Sequence, residues 1–381
     1  MSKFDPEALR AAAESHRQKT AMGSSATDQL APNGSQVVEA ERNQSRPVDL
    51  RTRYMGLWLR NPVVASAGPL SQTVDGIKSL AAGGVGAVVM YSLFEEQIRH
   101  EAARETALAE QGTESFAEAL SYFPTAPSND SGLTRTYLEL IEKAAPVIDV
   151  PLIASLNGST TGEWTQNARR MQDAGAAAIE LNVYYVPGDI TTAAREVEQR
   201  YLDILDEVKS RVGVPVAMKL SPYLSSFGKM AQALDAAGAD GLVLFNRYLQ
   251  PDIDLDQMAV LPGFGLSTQE EAKLPRSWIS ALYGRVNASL AATTGVETVE
   301  DVVKYLLAGA DVVMTTAALV RHGSGYAGQL VDGVQSWLTR RQLDLSRARG
   351  LLAVPSNADA TQYARSGYIS GLERAKKIYA R

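Results

Sequence analysis

Short apolar runs alternate with amphipathic stretches of helical length from Asn61 onward. The runs are rich in β-branched residues, which is typical of strands that are covered on both faces. Turn residues separate the runs from the stretches that follow them. Eight strands are predicted: Pro62–Gly68, Ala87–Ser92, Pro151–Asn157, Ala178–Tyr185, Pro215–Pro222, Gly241–Arg247, Ala288–Gly295 and Val312–Leu319.

A helix is predicted after each strand, because apolar residues recur there at helical spacing. Four joints place a glycine between such a helix and the next strand, in AAGGVGAVVM, DAGAAAIELN, AAGADGLVLF and LAGADVVMTT. Glycine supplies the left-handed cap that turns the chain back into the sheet. The predicted helices are Val74–Ala82, Arg135–Val147, Glu163–Asp173, Ala193–Val212, Phe227–Ala237, Arg276–Gly284, Val299–Ala308 and Gly325–Gln342.

Eight strand–helix units predict an α/β protein with a closed (β/α)8 TIM barrel. The rival is a doubly wound open sheet, which needs a glycine-rich dinucleotide loop after an early strand. The motif GSGYAG (Gly323–Gly328) follows the last predicted strand, so we interpret it as a turn into a helix.

The barrel is expected at residues 46–342, after a polar and flexible N-terminal extension at 1–45. Residues 343–381 form a tail that we expect to pack on the barrel or on a partner subunit. Leu93–Thr134 and Tyr248–Pro275 are too long for plain loops. Both follow strands, which predicts insertions on the C-terminal face that act as lids or substrate walls.

The amino-acid composition excludes several kinds of catalytic site and partner. The 381 residues include no cysteine and three scattered histidines, which excludes disulfides, thiolate nucleophiles and iron–sulfur ligation by this chain. The net charge of -6 has no block of like charge, so nucleic acid is a disfavoured partner. Neither a signal core nor an apolar run of membrane-spanning length is visible, and a cytoplasmic protein is the default expectation.

The predicted strand ends carry amides, hydroxyls and one lysine, with almost no carboxylate. Paired carboxylates for sugar hydrolysis and a metal-binding cluster are both missing from them. Such a set suits a large polar organic cofactor. Small residues after the last two strands leave N–H groups for a phosphate, although they also simply fill turns. The cofactor-binding candidates are Ser66, Ala67, Gly68, Ser92, Ser155, Asn182, Lys219, Thr294, Gly295, Thr315 and Thr316.

Lys219 has three interpretations. It forms an internal ion pair with Glu180 on the adjacent strand, it is the Schiff-base amine of an aldolase, or it is a cation beside a flavin that stabilises negative charge on the reduced ring. The surrounding amides favour the flavin.

The core from about Val48 to Gln342 resembles the dihydroorotate dehydrogenases. The resemblance rests on NPVVASAG at Asn61–Gly68, ELN at Glu180–Asn182, VAMKLSP at Val216–Pro222, LFN at Leu244–Asn246, and the closing segment Leu290–Leu319. A divergent, dihydroorotate dehydrogenase-like branch is closer still, since it shares Leu181–Pro187, Val243–Leu255 and a tail like Ala364–Ile369.

The resemblance implies FMN, hydride transfer from dihydroorotate to flavin N5 in pyrimidine biosynthesis, and frequently a homodimer. It makes Lys219 the flavin-side lysine, Asn182 the strand-four asparagine and Asn246 the substrate-side asparagine. A separate electron-transfer subunit is a further possible partner, because an iron–sulfur relay cannot lie in this chain.

The substrate end departs from the family pattern. The family's cysteine or serine base is missing from Val183–Pro187, where Tyr184 or Tyr185 is a candidate base or merely walls the pocket. Tyr91–Ser92 replaces a Lys–Ser pair, Ser121–Pro124 replaces an asparagine-rich loop, and Thr294–Gly295 replaces Gly–Gly. Arg247 binds a substrate carboxylate or forms a surface ion pair. Three hypotheses follow: an FMN oxidoreductase acting on dihydroorotate or another small carboxylated substrate, a flavin-bearing electron-relay component, and a Schiff-base aldolase or lyase using Lys219.

Overall fold

The computed structural model describes residues 48–99, 132–158, 164–185, 188, 190–247, 251–261 and 265–379. The predicted N-terminal extension at 1–45 lies outside these residues, as do Ser121–Pro124 and most of the first long connection.

A small hairpin precedes the barrel. Its strands, β1 (Thr52–Tyr54) and β2 (Leu57–Leu59), are antiparallel. The next strands form a closed barrel in which all neighbours are parallel and the last strand pairs with the first. This confirms the predicted (β/α)8 barrel. The barrel strands are β3 (Val63–Ala65), β4 (Ala87–Phe94), β5 (Leu152–Gly158), β6 (Ala178–Val183), β7 (Val216–Leu220), β8 (Gly241–Leu244), β11 (Ser289–Ala292) and β12 (Val312–Thr315).

Helices follow the barrel strands and pack around them. The strand faces that point outward meet the apolar faces of these helices in one large core. The helices are α1 (Val74–Ala82), α2 (Gly132–Ala144), α3 (Trp164–Asp173), α4 (Ala194–Lys209), α5 (Phe227–Ala236), α6 (Lys273–Leu282), α7 (Val299–Ala308), α8 (Ala317–His322), α9 (Tyr326–Arg341), α10 (Leu345–Ala348) and α11 (Ala360–Tyr379).

The four predicted glycine joints adopt the expected backbone. Gly84, Gly175, Gly238 and Gly309 all have φ between 91° and 118°, in the left-handed region that other residues rarely enter. Each lies between a helix and the strand that follows it, so these glycines end the helices and return the chain to the barrel.

The barrel interior is a second, smaller core. It contains small and β-branched side chains from the strands, among them Val64, Ala178 and Ala217. Tyr54, Met55 and Leu59 of the hairpin pack into the same core and close the end of the barrel from which the strands start. The opposite end, formed by the carboxyl ends of the strands, is called the mouth below.

The last predicted strand is too long. The strand predicted at Val312–Leu319 ends at Thr315, and helix α8 begins at Ala317, because the apolar residues that follow pack as a helix. The connection Tyr248–Pro275, which is too long for a plain loop, has structure of its own: a hairpin of β9 (Asp252–Asp254) and β10 (Ala259–Leu261), a 3-10 turn at Gln269–Ala272, and the start of α6.

The tail has two parts with different surroundings. Leu345 and Ala348 are buried in the outer core, and backbone N–H groups of Gly350 and Leu352 donate to carbonyls at the end of α7. In α11, by contrast, almost every described side chain is exposed, including Tyr368 and Leu372. None of the helices described is long and apolar enough to cross a membrane.

Candidate active site at the mouth of the barrel

A cavity of about 270 Å³ opens at the mouth. It is formed by the carboxyl ends of the first, fifth, sixth, seventh and eighth barrel strands and by residues 265–267 of the second long connection. Among the described residues, its lining includes one lysine, one arginine, one asparagine and several hydroxyls, and no carboxylate. This matches the donor set that the strand ends predict. The residues are Ser66, Ala67, Gly68, Pro69, Lys219, Phe245, Asn246, Arg247, Gly265, Leu266, Ser267, Thr293, Thr294, Val296, Met314, Thr315, Thr316, Ala317 and Val320.

Lys219 reaches this cavity and also contacts Glu180. It points into the barrel from β7, and its Nζ atom lies 3.3 Å from Oε1 of Glu180 on β6. Both side chains are buried, with 9% and 1% of their surface exposed. The internal ion pair and the cavity-facing lysine, weighed as alternatives from the sequence, are therefore present together.

The residues that directly follow the first barrel strand border the cavity. The Thr316 hydroxyl donates to the carbonyl oxygen of Ser66 at 2.7 Å and to that of Ala67 at 3.2 Å, which joins the ends of β3 and β12. A Cβ atom on Gly68 would come within 2.4 Å of Cγ2 of Thr316. Glycine is therefore required here, where the two strand ends approach each other.

Three of the four predicted phosphate-side residues border the cavity. The Thr294 hydroxyl donates to the Phe245 carbonyl, and the Thr315 hydroxyl donates to that of Val296. Gly295 is the exception: it does not border the cavity, and its N–H donates to the Ser267 hydroxyl. Because the threonine hydroxyls already donate to carbonyls, a bound phosphate would rely on backbone N–H groups in this region.

The two predicted asparagines contact each other. Asn246 Nδ2 donates to Asn182 Oδ1 at 2.8 Å, and Asn246 borders the cavity. The bond uses one polar atom of each amide and leaves Oδ1 of Asn246 for a ligand in the cavity, whereas Asn182 lies behind Asn246 and does not border the cavity.

Ser92 and Ser155 lie on the other side of the barrel, on β4 and β5. Their hydroxyl oxygens are 2.8 Å apart, and neither residue borders the described cavity. Ser155 is fully buried, and its N–H donates to the Tyr137 hydroxyl. The structure therefore does not bring these two serines to the cavity that Lys219 shares with the last strands.

The tyrosines and the arginine proposed for the substrate end lie near the mouth. Tyr184 and Tyr185 are half-buried, and neither borders the cavity. The Arg200 guanidinium stacks on the Tyr185 ring, 4.0 Å from its centroid. Arg247 borders the cavity and forms an ion pair with Glu271, with 2.9 Å between Nε and Oε1. The Val186–Pro187 part of the predicted loop lies outside the described residues.

The second long connection borders the cavity, where its length predicts a substrate wall, but sequence reasoning did not identify which of its residues do so. Gly265, Leu266 and Ser267 border the cavity, and Arg247 and Arg321 hold this segment by donating to the carbonyls of Gly265 and Ser267. The only sequence signal was the excessive length of the connection after a strand.

The fold and the cavity define the protein's class: a (β/α)8 barrel with a polar, lysine-bearing site at its mouth. A family model described as "Dihydroorotate dehydrogenase" matches residues 49–338. The chain therefore belongs to the dihydroorotate dehydrogenase family, as the sequence resemblance predicts.

Curated relatives are similar along most of the barrel. The catalytic subunit of dihydroorotate dehydrogenase B (NAD(+)) from Methanocaldococcus jannaschii is 27% identical over 311 residues, which cover 79% of this chain and 97% of that protein. The protein of the same name from Methanocella arvoryzae is 28% identical over 301 residues, 78% of this chain and 95% of that protein. The one from Listeria innocua is 35% identical over 173 residues, 43% of this chain and 56% of that protein.

Proposed function

We propose that this chain is an FMN-dependent oxidoreductase that oxidises a saturated carbon–carbon bond next to a carbonyl in a small carboxylated substrate. Dihydroorotate is the first substrate to test. The observation that carries the proposal is the position of Lys219, whose ammonium group shares one cavity with the ends of the first and last barrel strands.

The residues around the cavity fit FMN by their chemistry. An isoalloxazine ring presents several neutral donors and acceptors and gains negative charge on reduction, and a phosphate group needs a region without carboxylates. The cavity offers hydroxyls, an amide, backbone groups and the cations of Lys219 and Arg247, and no carboxylate from the part of the chain that the structure describes borders it. When bound, the flavin would accept a hydride from the substrate.

The chain's own residues supply binding and orientation. Lys219 would place its positive charge against the reduced ring. Asn246 would contact a ligand through its Oδ1 atom, and Asn182 would hold the Asn246 amide in that orientation. Thr294, Thr315 and Thr316 shape the turns whose N–H groups would contact the phosphate.

Proton removal from the substrate needs a base, and Tyr185 or Tyr184 is the proposed group. An unperturbed phenol has a pKa of about 10, so a cation has to favour its ionised form near neutral pH. The Arg200 guanidinium stacks on the Tyr185 ring and holds it in place beside the mouth, and this position supports Tyr185 over Tyr184.

The Schiff-base alternative is weaker because of the ion pair. An amine nucleophile has to be neutral, and a carboxylate 3.3 Å from the nitrogen favours the charged form instead. An aldolase lysine is often activated by a second lysine nearby, and among the described residues no second lysine borders the cavity.

The electron acceptor and the assembly stay proposals. The relatives named above are catalytic subunits of NAD(+)-dependent enzymes. Since this chain has no cysteine for an iron–sulfur centre, we propose that a separate subunit carries electrons onward if NAD is the acceptor here. A homodimer and a cytoplasmic location are proposed from the family alone.

The absorption spectrum of the purified protein tests the proposal. We expect a yellow protein that releases FMN on denaturation and bleaches anaerobically when dihydroorotate is added. A protein that stays colourless after incubation with FMN would overturn cofactor binding. A yellow protein that bleaches with dithionite but with no carboxylated substrate would support the electron-relay component instead.

A further inference from the structure

Glu180 and Lys219 lie in successive layers of the barrel interior. The register of β6 and β7 places Asn182 opposite Lys219 and Ala217 opposite Glu180. Because Ala217 ends at its methyl group, the interior beside Glu180 has room for the lysine side chain. The Nζ–Oε1 distance of 3.3 Å shows that the lysine uses this room.

The pair is isolated from water on the side away from the mouth. Ala178 lies one inward position before Glu180 on β6, and Tyr54 of the first hairpin packs in the same interior core. Replacing such a buried pair with apolar side chains of similar volume is often neutral or stabilising. Stability alone therefore does not account for two charges at this place.

Tyr54 provides the floor beneath Glu180 without neutralising it. Burial and then the charge of Glu180 raise the pKa of the Tyr54 phenol well above its ordinary value, so the phenol stays protonated. The Tyr54 hydroxyl and Oε2 of Glu180 are both buried and have no hydrogen-bond partner among the described residues. Within that part of the chain, Lys219 is the cation that contacts Glu180.

We propose that Glu180 is a positioning residue for Lys219, whose carboxylate holds the ammonium group by an ion pair at the inner end of the cavity at the mouth. The proposal rests on the proposed function only for what Lys219 faces there. Without Glu180, a lysine in this dry layer loses the charge that favours its protonated form, and a larger fraction becomes the neutral amine.

Competitive acetylation measures this fraction at individual lysines, because acetic anhydride reacts with neutral amines. The full-length protein is labelled briefly at several pH values, and the extent at Lys219 is read by peptide mass spectrometry. The test variant is Glu180→Gln, and its fold is checked by thermal unfolding. Glu139→Gln is the matched control, since it removes the carboxylate 3.0 Å from the exposed Lys143.

We expect Glu180→Gln to speed Lys219 labelling about ten-fold at a fixed pH, because the carboxylate that holds the ammonium group is lost. Glu139→Gln should change Lys143 by less than about two-fold, because an exposed pair is solvent-screened. Glu180→Asp keeps the negative charge but moves it away from Lys219 by one methylene. The labelling rate of Lys219 in this variant should lie between the rates in the wild type and in Glu180→Gln. This second variant also decides the question if Glu180→Gln does not fold.

Wild-type labelling rates at Lys219 in the folded variants would overturn the role of Glu180, whether or not the protein is yellow. A colourless protein in which Glu180→Gln still speeds Lys219 labelling would overturn the proposed flavin chemistry and support the role of Glu180. The two failures are therefore distinguishable.

Discussion

The guanidinium of Arg349 donates to Oδ1 of Asp311 at 2.6 Å, and this bond ties the segment after the barrel to the start of the last barrel strand. Oδ2 of the same carboxylate accepts the N–H of Leu290 on the neighbouring strand. Burial raises the pKa of Asp311, although the Leu290 N–H and the charge of Arg349 act against this. One partly buried carboxylate thus connects two strands and the tail.

Arg349→Ala should destabilise the protein by about 1–3 kcal/mol, because a charge-assisted bond to a partly buried carboxylate is lost. Urea denaturation of the full chain measures this. Arg347→Ala is the matched control: its pair with Asp344 is exposed, and we expect about 0.5 kcal/mol or less. Equal effects of the two substitutions would contradict the structural role of Arg349.

Gly350→Ala tests the fit between the tail and the barrel. Gly350 has φ +72°, and an added Cβ atom would come within 2.1 Å of the Tyr283 ring. Gly284 has nearly the same φ, +71°, but a Cβ atom there meets nothing within 4 Å. Both substitutions strain the backbone, so Gly350→Ala should cost about 1–3 kcal/mol more than Gly284→Ala through overpacking. Thermal unfolding compares them, and a smaller loss for Gly350→Ala would argue against this packing.

Asp301→Asn should give a pH-dependent loss of stability. Burial by itself raises the pKa of Asp301, but hydrogen bonds from the Gln269 side chain and from the N–H groups of Thr298 and Glu297 outweigh it, so the pKa lies below its ordinary value of 3.8. The stabilisation is therefore complete above about pH 3.8 and is lost as pH falls through the lower folded-state pKa.

We expect Asp301→Asn to cost about 1 kcal/mol at pH 7, as loss of a helix N-terminal cap does, and progressively less below about pH 4. Urea denaturation at both pH values measures the difference. Asp332→Asn, at an exposed position on α9, should stay within about 0.5 kcal/mol at either pH. A deficit that persists unchanged in acid would contradict the assigned hydrogen bonds.

Lys219→Met should affect both stability and flavin reduction. The substitution leaves Glu180 buried and unpaired, which we expect to cost about 3–5 kcal/mol. The double substitution Lys219→Met with Glu180→Gln removes that unpaired charge and should recover part of the stability. Reduction of bound flavin by substrate should stay slower than in the wild type by about 100-fold in both variants, measured by stopped-flow absorbance. Recovery of the rate in the double variant would remove Lys219 from the proposed chemistry.

The barrel could be predicted because the sequence patterns that indicate its strands, helices and turns each span only a few neighbouring residues. Short apolar runs, helical spacing and the glycines before the strands each reflect conformations that a few neighbouring residues determine. The error at Ala317–Leu319 arises from the same source: a short apolar run is compatible with a buried strand and with a buried helix.

The site was predictable only in part. Strand-end residues such as Lys219 and Thr316 follow from topology, since the carboxyl ends of all barrel strands meet at the mouth. Leu266 and Ser267 could not be predicted, because contacts to Arg247 and Arg321 from distant segments hold their loop at the cavity. Gly295 was expected to offer its N–H to a phosphate, but Ser267 from this same loop accepts it.

The hairpin of β1 and β2 determines the route that ligands take. Tyr54, Met55 and Leu59 seal the barrel beneath Lys219, so among the described residues the approach to its ammonium group lies through the mouth. The cavity is therefore open on one side only. If an electron donor and a diffusible acceptor both enter from that side, the first product has to leave before the acceptor binds. Steady-state kinetics should then show parallel double-reciprocal lines.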